Sequence, residues 1–202
     1  MLFALLAAPL AGALAAGAEF TPEELAKLGK GDVVRRISPD NGKDGRFGGS
    51  GWALIDAAPD KVWTAIQDWK NYPEIFPNTV ETSVISRREG RSLIRMKLGH
   101  PIISITYHVE MAPEAATWTM RFKLVRNFPS DLDAIDGYWR LYPIEGGRTL
   151  CSYILNVHVP SGIVNILPDS FKRMAVRGVL GVPGSVKQWV ERREQRKPAT
   201  GS

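Results

Sequence analysis

The sequence predicts an α+β domain in which one antiparallel sheet packs against a long C-terminal amphipathic helix. Three observations predict it. Several segments alternate apolar and polar residues with period two, as strands with one buried face do. The clearest sets Ile103, Ile105, Tyr107, Val109 and Met111 against Ser104, Thr106, His108 and Glu110. The last segment instead repeats apolar residues every three or four positions, through Phe171, Met174, Ala175, Gly178, Val182, Val186, Trp189 and Val190. The strands come first and the helix last, so the helix is the one large partner for the apolar face of six or seven strands.

Composition sets the outer bounds. A chain of 202 residues is one domain by default and buries a sufficient core without disulfides or metals. The net charge of +5 leaves room for a transient contact with an anionic membrane surface. The basic residues are scattered rather than gathered on a face with stacking aromatics, which argues against nucleic acid. Cys151 is the single cysteine and lies in an apolar run, so it reads as a small buried hydrophobe. His100, His108 and His158 form no metal-binding spacing, and no metal or cofactor is expected.

Residues 1–18, MLFALLAAPLAGALAAGA, carry no charged side chain and end in the small-x-small pattern of a signal-peptidase site. They predict a leader cleaved after Ala18 and a periplasmic or secreted protein; an uncleaved membrane anchor is the alternative. Residues 19–47 read as an N-terminal extension and 48–197 as the domain proper. Thr21 before Pro22, Glu23 and Glu24 predicts a helix start, and Gly29 with Gly31 an end. Val33 to Ile37 reads as a short strand. Ser38 to Gly51, rich in Gly, Asn and Asp, reads as a loop. Trp52 to Ala57, Thr79 to Arg88 and Ser92 to Leu98 read as strands, the last two joined by a turn at Glu89-Gly90. Further strands carry Trp118, Met120 and Phe122, then Ile135, Gly137, Trp139 and Leu141, then Cys151, Tyr153, Leu155, Val157 and Val159. Leu167-Pro168-Asp169 opens the final helix, and Pro183 is expected to kink it.

The most distinctive stretch runs from Ile55 to Pro77, IDAAPDKVWTAIQDWKNYPEIFP. Pro59 suits the first turn of a helix, and Val62, Trp63, Ile66 and Trp69 give that helix an apolar face. Tyr72-Pro73 and Phe76-Pro77 are expected to stop it. This strand, short helix and aromatic turn resembles the opening of the START-like (SRPBCC) superfamily, which includes polyketide cyclases and dehydrases, coenzyme Q-binding START-like proteins and lipid-transfer domains. The resemblance covers roughly Gly48 to Arg193. It implies a helix-grip fold, with a twisted sheet wrapped around the C-terminal helix and a cavity between them.

In that cavity the expected wall is Tyr107, Val109, Trp118, Met120, Trp139 and Tyr153 from the sheet, with Phe171, Met174 and Gly178 from the helix. Large apolar surfaces and two phenolic hydroxyls suit a hydrophobic ligand that needs orienting. Gly178, Gly181 and Gly184 each cost about 1 kcal/mol in a helix interior. They mark either a close backbone approach or a helix in two pieces. The sequence has no HExxH, CxxC, GxSxG or phosphate-binding loop, and no catalytic residue stands out. The expected function is an exported module that binds a lipid, isoprenoid or quinone-like molecule without chemistry. An aromatase/cyclase-like enzyme using the same cavity and a partner-binding regulatory module are the alternatives.

Overall fold

A computed structural model describes residues 19–99 and 103–196, and the backbone alone of Ser170 and Phe171. The expected leader and His100 lie outside the described residues. Eight antiparallel strands form one sheet: β1 (Val34–Ile37), β2 (Arg46–Ile55), β3 (Thr79–Arg88), β4 (Arg91–Gly99), β5 (Ser104–Glu114), β6 (Thr119–Leu124), β7 (Ala134–Ile144) and β8 (Arg148–His158). Their order across the sheet is β1-β2-β8-β7-β6-β5-β4-β3. The α+β expectation holds, with slightly more strands than predicted. The helices are α1 (Pro22–Gly29), α2 (Pro59–Ile66), α3 (Tyr72–Ile75), α4 (Ser161–Val164), α5 (Asp169–Val179) and α6 (Val182–Arg196).

The inner face of the sheet carries the main core. Ile55, Val109, Met120, Trp139, Leu141 and Cys151 pack there against Val62 and Ile66 of α2, Tyr72 and Ile75 of α3, and Val186 and Val190 of α6. A smaller core lies on the outer face, where Leu28 of α1 meets Val34, Trp52, Leu54, Ile144 and Leu150. Residues 19–47 therefore supply an edge strand and a helix that covers the sheet's outer side. The α1 start is the expected one: Thr21 Oγ1 accepts from Glu24 N, and Glu24 Oε2 accepts from Thr21 N.

Three local expectations need correction. Residues 46–51, read as loop, form the first half of β2 and pair with β8, and residues 49–51 pair with β1 as well. The glycines that suggested a loop are there because other backbone comes close. A Cβ on Gly51 would overlap Leu180 O, and one on Gly49 would overlap Arg36 O. Tyr72-Pro73 opens the short α3 rather than ending a helix, because Pro73 occupies its first turn. The C-terminal helix is broken at Leu180-Gly181, and Pro183 sits in the first turn of α6, where its missing N–H does no harm.

Pro113 also lies within β5, opposite Met120. The pairing of β4 with β5 ends at Met111, so beyond it β5 is an edge that tolerates a residue without an N–H.

Candidate functional site

Strand register brings the predicted sheet wall together. Trp139 lies opposite both Tyr153 and Met120, Tyr107 opposite Met96, and Val109 opposite Leu124. Tyr107, Val109, Met120 and Trp139 are buried, while Trp118 and Tyr153 are half-buried. The rings form a continuous apolar layer. Trp139 and Tyr153 have centroids 4.5 Å apart, Tyr153 stacks on Phe122 at 5.6 Å, and Trp139 stacks on Phe76 at 6.0 Å. Trp118 meets Trp63 of α2 edge-on at 5.7 Å. A left-handed backbone at Trp118, φ 50°, ends the short turn before β6, and its carbonyl accepts from Leu141 N.

The helix side differs from the expected wall. Met174 is 55% exposed and Gly178 faces open space. Among the described side chains of α5 only Val176 is buried. The reason is the break at Leu180-Gly181. It divides the segment into two helices, so a stripe that is continuous in sequence is not one face of one helix. The helical residues that close the inner face are Val186 and Val190 of α6. Phe171's side chain lies outside the described set.

The sheet and α6 are clamped at one end by polar contacts. Lys187 Nζ donates to Leu54 O at 3.0 Å and to Glu191 Oε1 at 2.6 Å, and the same carboxylate oxygen accepts from Asp56 N at 2.9 Å.

Three phenols occupy the interior. Tyr72 donates to Ile66 O at 2.6 Å. The hydroxyls of Tyr107 and Tyr153 have no hydrogen-bond partner among the described residues, although Tyr107 is only 7% exposed. No buried side-chain polar atom among those residues is fully enclosed without a partner, so both tips reach space that water can enter. Burial pushes the ionisation of Tyr107 and Tyr153 well upward, and the proximity of Tyr107 raises that of Tyr153 further. Tyr72 is raised by burial and then by Tyr153 and Tyr107. At neutral pH all three are neutral phenols, able to donate a hydrogen bond and poorly matched to proton transfer.

Sequence reasoning placed Tyr72 and Phe76 in a proline-punctuated turn and missed that they line this interior. Their signal was present in the motif YPEIFP, where Tyr72 precedes the helix-starting Pro73 and Phe76 precedes Pro77 just past the helix end. His108 stands on the polar side of the β5 alternation and is nevertheless buried. Its Nδ1 is 3.0 Å from Pro129 O and its ring stacks on Phe128, because the 125–133 loop folds over that part of β5. The described residues contain no cluster of three or more His, Cys, Asp or Glu side chains that could hold a metal. Their buried polar side chains are Thr79, Ser92, His108, Thr119, Thr149 and Ser152, with no carboxylate among them.

Comparisons agree with this architecture. No curated protein sequence matches the chain. The Zhui aromatase/cyclase from a Streptomyces species superimposes with a TM-score of 0.61 at 16% identity, over 78% of this chain and 99% of that one. A STAR-related lipid transfer protein from Xanthomonas axonopodis gives 0.57 at 14% identity, over 78% and 98%. A START superfamily protein from Mycobacterium smegmatis gives 0.59 at 16% identity, over 71% and 97%. At such identities these likenesses establish the fold alone. The sequence model described as polyketide cyclase / dehydrase and lipid transport matches residues 55–181, more than half of the chain. On that match the protein belongs to the polyketide cyclase/dehydrase and lipid transport family.

Proposed function

We propose that the protein binds a hydrophobic small molecule, a lipid, isoprenoid or quinone-like compound, between the sheet and the C-terminal helices, and carries it without chemistry. One observation carries this reading. Two phenolic hydroxyls, Tyr107 and Tyr153, stand unpartnered among the described residues in an otherwise apolar interior. A ligand carbonyl or hydroxyl would complete them, while apolar ligand surface would contribute about 25 cal/mol per Å² buried.

The aromatase/cyclase alternative draws support from the Zhui neighbour. It is disfavoured here because the interior phenols are held neutral and no buried carboxylate accompanies them among the described residues. Export belongs to the same proposal. The leader-like residues 1–18 would deliver a carrier to an envelope compartment, and N-terminal sequencing showing a start at Glu19 is the expected result.

Native mass spectrometry of protein purified from its source, followed by lipid extraction, tests the carrier reading. The expected result is a co-purifying apolar ligand returned unchanged after incubation. Conversion of that ligand to a cyclised product would favour the enzyme. Absence of any apolar ligand, together with no binding of a fluorescent lipid, would overturn both.

A further inference from the structure

The geometry points to a second site, for a phosphate or pyrophosphate group, at the β3–β4 hairpin. This site is separate from the interior described above and does not rest on the hydrophobic-ligand reading. A surface cavity of about 440 Å³ is lined by Arg87, Arg88 and Arg91 on the hairpin, with the carboxylate residue Glu89 at its turn, and by Gln67, Trp69 and Pro113 behind it. Trp69 is a buried core residue and Pro113 lies in β5, so the back of the cavity is rigid.

The hairpin itself concentrates charge. Its two-residue turn, Glu89-Gly90, has positive φ at both positions, 50° and 75°. That geometry sets Arg88 directly opposite Arg91, and like charges so placed repel. Only part of this charge is neutralised. Arg91 Nη1 is 2.9 Å from Glu110 Oε1, an oxygen that also lies 3.9 Å from Lys123 Nζ. Arg87 and Arg88 have no carboxylate partner among the described residues. Guanidinium groups are planar forks that match phosphate oxygens two at a time, so a phosphate bound between Arg88 and Arg91 would relieve their repulsion and draw on the added positive charge of Arg87, which lies on the other face of the hairpin opposite Ser92. An uncharged ligand would do neither.

The same chemistry could arrive as a free phosphorylated metabolite or as a lipid headgroup, and the test has an arm for each. Calorimetric titration of the full chain with inorganic pyrophosphate reports the first. Flotation with vesicles of phosphatidic acid and phosphatidylcholine in equal parts, against phosphatidylcholine alone, reports the second. The double variant Arg87→Gln/Arg88→Gln is expected to weaken whichever interaction occurs by at least about ten-fold. Arg126→Gln/Arg148→Gln, which removes the same charge elsewhere, should leave it nearly intact. Should the first variant fold poorly, amide shifts of Gly90, Arg91 and Gln67 in the wild-type protein on adding pyrophosphate, or on adding a short-chain phosphatidic acid where the vesicle arm alone responds, give an independent reading. Pyrophosphate binding alone assigns a free phosphorylated ligand, and vesicle binding alone assigns a headgroup. Failure of both, equal loss in the two variants, or shifts confined to other residues would overturn the site.

Discussion

Gly51, in the middle of β2, lies directly beneath the carbonyl of Leu180, so closely that a Cβ at position 51 would overlap it. The break between α5 and α6 is seated on this contact. Gly51→Ala is therefore expected to destabilise the fold by about 1–3 kcal/mol, the usual range for overpacking a tight interior. Gly178→Ala, where an added Cβ meets nothing within 4 Å, should be neutral or stabilising by up to about 1 kcal/mol through helix propensity. Urea denaturation of the two variants checks the contrast. Equal effects would refute the assigned contact.

Lys187 and Glu191 hold α6 to the end of β2. Glu191→Ala leaves both the Asp56 N–H and the Lys187 ammonium short of an acceptor. A loss of about 1 kcal/mol is expected, since Lys187 keeps Leu54 O as an acceptor and the exposed Asp56 N–H can turn to water. Lys187→Met retains the aliphatic stem and should lose less. Thermal melts of the single and double variants give the coupling between them, and strict additivity would show that the two residues act independently.

The three interior tyrosines should separate into one structural and two ligand-facing residues. Tyr72→Phe removes a bond to Ile66 O and should cost about 1 kcal/mol of stability. Tyr107→Phe and Tyr153→Phe remove no protein hydrogen bond among the described residues, so stability should change by less than about 0.5 kcal/mol. Both should weaken binding of a fluorescent lipid that carries a polar head. If either one destabilises the fold as much as Tyr72→Phe, the hydroxyl has a structural role instead.

Alkaline pH should unfold the protein. Burial holds the folded-state ionisation of Tyr72, Tyr107 and Tyr153 above the unfolded value of about 10. The folded state keeps protons that the unfolded chain releases, so the contribution of the phenols is complete below about pH 10 and falls as pH rises toward the raised folded values. Cys151 adds to the loss from about pH 8.5, because its thiol is likewise pushed up by burial. Denaturation midpoints measured at stepped pH should drop through this window, less steeply in Tyr153→Phe. A flat profile would contradict the buried placement of the phenols.

Cys151 packs between Ala53 and Leu141 on the inner face and is fully buried. Cys151→Ser is expected to cost about 1–3 kcal/mol by burying an unpaired hydroxyl. Ligand binding by the folded fraction should be unaffected. A thiol reagent should react only under unfolding conditions, and rapid reaction of the native protein would show the site to be open.

What the sequence determined by itself was local in origin. Period-two alternation identified the strands that carry Tyr107, Trp139 and Tyr153, because a residue's parity along a strand assigns its face wherever one side is buried. The Thr21–Glu24 capping box and the helix-opening prolines were equally legible, since each acts within one turn. Tertiary structure decided the rest. Residues 46–51 form a strand because β8 pairs with all of them and β1 with residues 49–51, and their glycines admit Arg36 O and Leu180 O, neither of which is local in sequence. The helical stripe from Phe171 to Val190 does not form one wall, because the break at Leu180-Gly181 is set by docking on β2 and leaves Met174 outside. His108 is buried by a loop 20 residues further along the chain, which strand parity alone cannot register. Periodicity reports which face of an element is apolar; only the packed chain determines what lies against it.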